Sequence, residues 1–192
     1  MKLVLKSTLY IVVLTVLLGG VYPAVVTLLG QLFWPRQANG SFVTAGGRIV
    51  GSELIGQSFA DPKYLHSRPS AAGKDGYDAT ASGGTNKGAT DTDLANSIAS
   101  AVAAARKDRP GDTRPVPADL VTSSASGLDP HLSPDGAQWQ ALRIAKARGA
   151  SEEQVLAVIR RHLEPRTLGF LGEPRVNVLL TNLDLDRSLA RP

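Results

Sequence analysis

Three histidines, His66, His131 and His162, and no cysteine stand in 192 residues. No two histidines have the spacing that puts metal ligands on one helix face, so a zinc site is not expected. Asp129-Pro-His131 sets a carboxylate two residues before an imidazole, and Ser82 or Ser124 offers a hydroxyl, the three groups of an acyl-transfer triad. Neither serine lies in a Gly-x-Ser-x-Gly elbow, and Asp followed by Pro is an ordinary turn opener, so hydrolysis is not expected either. Ser82-Gly-Gly-Thr-Asn-Lys-Gly88 has glycines and a lysine that can cradle a phosphate. Its order is wrong: Lys87 precedes its glycine, and no apolar strand leads into Ser82. In Tyr64-Leu-His-Ser-Arg-Pro-Ser70, Arg68 has three roles open to it: holding a ligand, capping a carbonyl or pairing with a carboxylate. No catalytic, metal or cofactor residue is assigned on this reading.

Whatever these side chains do, they are carried by a chain that starts in a membrane. Between Lys6 and Arg36 there is no charged residue, and the run from Ser7 to Trp34 is almost continuously apolar. About 20 helical residues cross a bilayer core, so one transmembrane helix is expected over 9–31 after a short leader, 1–8. A cleaved signal is the rival, with Lys2 and Lys6 before it and Ala38-Asn39-Gly40 as small residues for a peptidase. The run is too long for a signal core and ends on the aromatic pair Phe33-Trp34, as an uncleaved anchor does. Gly19, Gly20 and Pro23 suit close packing against neighbouring helices, although membrane helices also tolerate such residues. Lys2, Lys6 and the amino terminus favour a cytoplasmic leader and an extracytoplasmic remainder.

Discounting Lys2 and Lys6 leaves 19 basic against 17 acidic residues. That balance gives no basic field, and nucleic acid is excluded as a partner. A linker is expected over 32–48, then one domain over 49–187 and a tail over 188–192. Residues 67–92 read as a long Gly- and Ser-rich loop. Three helices follow. The first takes Thr90 or Thr92 as cap and carries the stripe Leu94, Ile98, Val102, Ala105. The second opens at Ser133-Pro134 and runs to Gly149. The third has Ser151 and Gln154 as a capping box, with Leu163 on its apolar face, and is stopped by Pro165. The alternation from Val176 to Leu185 predicts a strand, which makes the domain α+β.

Six motifs occur in order behind the single helix: Gly51-Ser-Glu-Leu-Ile-Gly-Gln-Ser-Phe59, His66-Ser-Arg-Pro-Ser70, Ser82-Gly-Gly-Thr-Asn86, Pro115-Val-Pro-Ala-Asp-Leu-Val121, Ser126-Gly-Leu-Asp-Pro-His131 and Leu168-Gly-Phe-Leu-Gly-Glu-Pro-Arg-Val-Asn-Val178. In this series the chain resembles the C subunit of the bacterial Kdp potassium-transporting ATPase. The resemblance implies a non-catalytic subunit of a potassium uptake complex in the bacterial inner membrane; the extracytoplasmic placement of the domain favours a part in assembly and stability and in control of potassium entry at the outer face. Its implied partners are a channel-like potassium-binding subunit and a P-type ATPase subunit, besides membrane lipid. The sequence itself has no Asp-Lys-Thr-Gly phosphorylation motif. The family is also described as a catalytic chaperone that raises the ATP affinity of the pump subunit, which would make ATP a ligand; an extracytoplasmic domain would not meet ATP. A stand-alone anchored binding or hydrolytic domain is the reading from another class. Partner-binding residues are expected at Gly19, Gly20 and Pro23 in the helix, and at Ser67, Arg68, Pro69, Ser82, Gly83, Gly84, Asn86, Asp129 and His131 in loops that offer little to a core.

Overall fold

A computed structural model describes residues 1–189 and divides the chain into two units, Met1–Phe42 and Val43–Pro192. The first unit is dominated by one continuous helical run of 32 residues, Lys2–Phe33. At 1.5 Å per residue it is about 48 Å long, ample for a hydrocarbon core of roughly 30 Å. It consists of α1 (Lys2–Val16), a π-helical turn (Leu17–Val21) and α2 (Tyr22–Phe33). The wide turn has a local cause. Pro23 contributes no N–H, and its ring crowds the carbonyl four residues back, that of Gly19. The chain answers by loosening its register, so that the Tyr22 N–H donates to Leu17 O, five residues back. A Cβ added at Gly19 or Gly20 would meet nothing within 4 Å, so the two glycines leave a notch on the helix surface. Trp34, preceding Pro35, leaves the helical region (φ −139°, ψ 57°), and a short turn α3 (Pro35–Ala38) follows. The side chains of Gln31 and Asn39 close this end with two amide hydrogen bonds, 3.3 and 3.0 Å.

The second unit opens with a hairpin, β1 (Phe42–Ala45) and β2 (Arg48–Ser52). Gly46 and Gly47 form its turn with φ of 56° and 77°, the doubly positive geometry that matches strand twist. The segment 32–48, expected as linker, therefore contains α3 and the first strand. No helix or strand occurs between residues 53 and 91. α4 (Thr92–Asp108) is capped by Asp91, whose carboxylate accepts from Leu94 N at 3.0 Å; Thr90 and Thr92, expected as caps, are not. The second predicted helix is two, α5 (Pro134–Trp139) and α6 (Ala141–Arg148), separated at Gln140. Ser133 caps α5, and Gly149 ends α6 in the left-handed conformation at φ 65°. α7 (Glu152–Arg161) has the complete Ser151/Gln154 capping box.

Two expectations fail near the C-terminus. Leu163 is not on α7 but in β4 (Leu163–Glu164), largely exposed. Residues 176–185 are not one strand: β5 (Arg175–Asn177) gives way at once to α8 (Val178–Ser188). Asn177 is the switch, because its side chain accepts from Leu180 N at 3.1 Å and caps a helix where the alternation suggested more strand. Buried Val178, Thr181, Asn182 and Leu185 then recur at helical spacing. Ser188, placed in the tail, closes α8; residues 190–192 of that tail lie outside the described residues. The strands order as β3-β5-β4, with β3 (His131–Leu132) and β4 both antiparallel to β5. The fold class is α+β as expected. Ile144 of α6, Val155 and Ile159 of α7, Leu185 of α8, and Leu132 and Val176 of the sheet form the core.

Candidate partner-binding site

The irregular segment between β2 and α4 is held by side chains of the helical core rather than by strand pairing. Asn182 of α8 accepts from Leu65 N at 2.7 Å and donates to Leu65 O at 2.9 Å. Gln140, at the break between α5 and α6, does the same for His66, at 2.9 and 3.0 Å. Two amide side chains thus play the part of a neighbouring strand for two consecutive residues. Arg143 donates to the carbonyls of Pro62 and Tyr64, and Arg148 to those of Lys63 and Leu185. These four residues carry the frame of the site, and the sequence reading missed them. The signals were a glutamine interrupting a helical stripe and an asparagine at a core-facing position of what turned out to be α8.

So fixed, the chain enters the loop that contains Ser67, Arg68 and Pro69. Ser67 Oγ donates to Gln57 O at 2.8 Å. Arg68 Nη1 pairs with Asp129 Oδ2 at 3.1 Å, and Nη2 reaches Ser123 O at 3.5 Å. Of the three roles open to it, Arg68 takes carboxylate pairing and carbonyl capping together. The other Asp129 oxygen accepts from His131 N at 3.0 Å, with His131 Nδ1 3.7 Å away. Burial pushes the Asp129 carboxyl up, but the His131 contacts and the Arg68 guanidinium outweigh it and hold the group below its ordinary range. Tyr77 donates its hydroxyl to Arg68 O, and burial raises its phenol above the usual value.

The second loop packs on the same segment. Ser82 Oγ donates to Ser126 O at 3.0 Å, and Gly83 N donates to the same carbonyl at 2.9 Å. Gly127, at φ 66°, has no room for a side chain: a Cβ would lie 2.7 Å from both Ala72 N and Gly83 O. Ser70 Oγ donates to Gly127 O at 2.6 Å. Arg68, Ser82 and Gly83 are therefore drawn together with Asp129 and His131 around residues 123–131, Gly84 abuts Ala125, and Ser67, next to Arg68, is tied to Gln57 instead. Pro69 lines a neighbouring cleft with Ser67, His66 and Gln140. Asn86 does not join this cluster; it is exposed, in the left-handed conformation at φ 52°. The expectation that these loops give little to a core is corrected for the first of them, where Ala72 is fully buried; in the second, 82–88, no residue is buried.

Beside the Arg68–Asp129 pair, Leu54, Ile55 and Leu128 line an open groove with residues 123–126. A groove with an apolar floor and a fixed ion pair at its side suits recognition of a protein surface. The hydroxyls of the triad reading are used in turns: Ser124 Oγ accepts from Gly127 N at 2.9 Å, and Ser82 Oγ bonds Ser126 O. Lys87 donates to Asp91 and Asp93 at the start of α4, at 3.2 and 2.8 Å.

Fold and site together define a protein with one candidate membrane-spanning helix followed by an α+β domain whose irregular loops build a polar surface. The family model described as KdpC, K+-transporting ATPase, c chain, matches residues 4–187, and the chain belongs to that family. Relatives named potassium-transporting ATPase KdpC subunit include that of Koribacter versatilis, 50% identical over 100% of this chain and 97% of the relative. Those of Myxococcus xanthus (56% identical, 92% and 83% covered) and Methylococcus capsulatus (53%, 94% and 95%) are similar.

Proposed function

We propose that this chain is a non-catalytic accessory subunit of a potassium-transporting ATPase, anchored in the cell membrane by Lys2–Phe33 with its α+β domain outside the cytoplasm. There it stabilises the assembled transporter and controls potassium entry at the outer face. The observation that carries this reading is the extent of the family match, residues 4–187, which takes in the helix and the domain together. The partners are a channel-like potassium-binding subunit and a P-type ATPase subunit, and ATP is not a ligand of this chain.

Attachment is proposed at two places. In the bilayer, the notch at Gly19 and Gly20 above Pro23 receives a neighbouring helix, because small residues allow backbones to approach. In the outer domain, the surface built from Ser67, Arg68, Pro69, Ser82, Gly83, Gly84, Asp129 and His131, together with Asn86, meets a second partner surface. Two tethered contacts hold far better than either alone, since the second forms at high effective concentration.

The test is co-purification of the full chain with the other transporter subunits. Nothing lies within 4 Å of a Cβ at Gly19 or Gly20, so Gly19→Leu with Gly20→Leu leaves the isolated helix intact while filling the notch. That variant and Asn86→Ala should each lower recovery of the complex, by roughly tenfold for the notch and less for the single exposed side chain. Wild-type recovery from both would refute two-point attachment.

A further inference from the structure

After α7 the chain returns through β4 and β5 as a hairpin whose tip is apolar and turned to solvent. Leu168 is 80% exposed, Phe170 68% and Leu171 49%. Thr167 and Leu171 exchange both backbone hydrogen bonds at 2.9 Å, which loops out the three residues between them as a fixed knob. Leu168 holds φ 54° and Gly169 82°. Glycine enters that left-handed region freely, whereas a leucine is disfavoured there by its Cβ. A turn that needed only to close would have glycine at 168, and Leu168 buries almost nothing in return. Strain combined with exposed apolar area points to a contact made outside the chain.

Charge narrows what that contact is. At the neck, Arg166 Nη2 donates to Glu173 at 2.6 Å and Arg175 Nε to Glu164 at 2.8 Å. The four ionic side chains at the neck cancel in pairs, which leaves the collar of the tip neutral. A loop that sought an anionic membrane surface would gather free Lys and Arg beside its apolar residues. A neutral collar around two large apolar side chains instead matches the centre of a protein interface, where charge is depleted and aromatic residues fill pockets.

We infer that the 168–171 tip is a docking knob that seats Leu168 and Phe170 in an uncharged apolar pocket on another subunit of the transporter. The inference rests on the accessory-subunit reading and adds a contact distinct from the Arg68 surface. Leu168→Gly is the informative substitution, because it relieves the left-handed leucine and removes the knob at once.

In the full chain, co-expressed with the other subunits, Leu168→Gly should melt no lower than wild type, yet reduce recovery of the complex at least about fivefold, and Phe170→Ala should do the same. A photoreactive phenylalanine analogue at position 170 should cross-link to a subunit of the complex. Wild-type recovery from both tip variants, or a photo-adduct with lipid alone, would overturn the inference. The Gly19→Leu, Gly20→Leu chain separates the two readings. If it loses recovery while the tip variants keep theirs, the knob alone is wrong. If it keeps recovery while the tip variants lose theirs, the knob stands and attachment through the notch is wrong.

Discussion

Asp129 and His66 respond to pH through different surroundings. Asp129, paired with Arg68 and bonded to His131 N, has its carboxyl held low, so its ionisation adds stability above the ordinary carboxylate range near 4 that is lost as pH falls through the depressed value. His66 is lowered first by burial and then by the Arg143 guanidinium, although the Asp61 carbonyl, 3.0 Å from Nε2, favours its charged form. A depressed histidine has the same sign: stability present above about 6.5 is lost as pH drops through the folded value. The melting temperature of the full chain in detergent should therefore fall in two stages on acidification. His66→Gln should remove the upper step, which sets in below about 6.5, and Asp129→Asn should reduce but not abolish the loss below about pH 4, because Asp112, Asp184 and other aspartates are also held low. An unchanged upper step in His66→Gln would show that another group controls it.

Among the elements, those whose boundaries are set by neighbouring residues were legible in the sequence. Ser133-Pro134, the Ser151/Gln154 box, Gly149 and the uncharged run each encode their structure within a few positions, and each was found. Boundaries decided by tertiary contacts were not. Gln140, whose amide holds the His66 backbone, separates α5 from α6, and Asn177 starts α8 directly from a sheet residue where alternation reads as strand. The site followed the same rule. Several loop residues named from the sequence do meet around residues 123–131, but Asn182, Gln140, Arg143 and Arg148, which position the loop, reach loop partners 74 to 117 residues away. Asn182→Ala would strip the Leu65 N–H and C=O of their partners in a fully buried place, which should cost about 2–4 kcal/mol. Chemical denaturation of the full chain in detergent measures that loss, and a change below about 0.5 kcal/mol would show that the clamp is replaceable.

At the scale of the whole molecule, the account turns on which side of the membrane holds the α+β unit. Lys2 and Lys6 lie at the amino-terminal end of the helix, and the domain beyond it is nearly balanced in charge, so that end should remain in the cytoplasm. An outer domain can reach the potassium entry side of a transporter but not cytoplasmic ATP, so orientation separates an assembly role from a nucleotide role. The chain has no cysteine, which makes a single introduced thiol a clean reporter. Ser41 is buried and would shield one, whereas Ser7, Thr85 and Thr113 are exposed. In intact cells, with any outer membrane permeabilised, a membrane-impermeant thiol reagent should label Thr85→Cys and Thr113→Cys but not Ser7→Cys. Labelling of Ser7→Cys alone, with the other two protected until the inner membrane is opened, would contradict the account and place the domain on the side where ATP is bound.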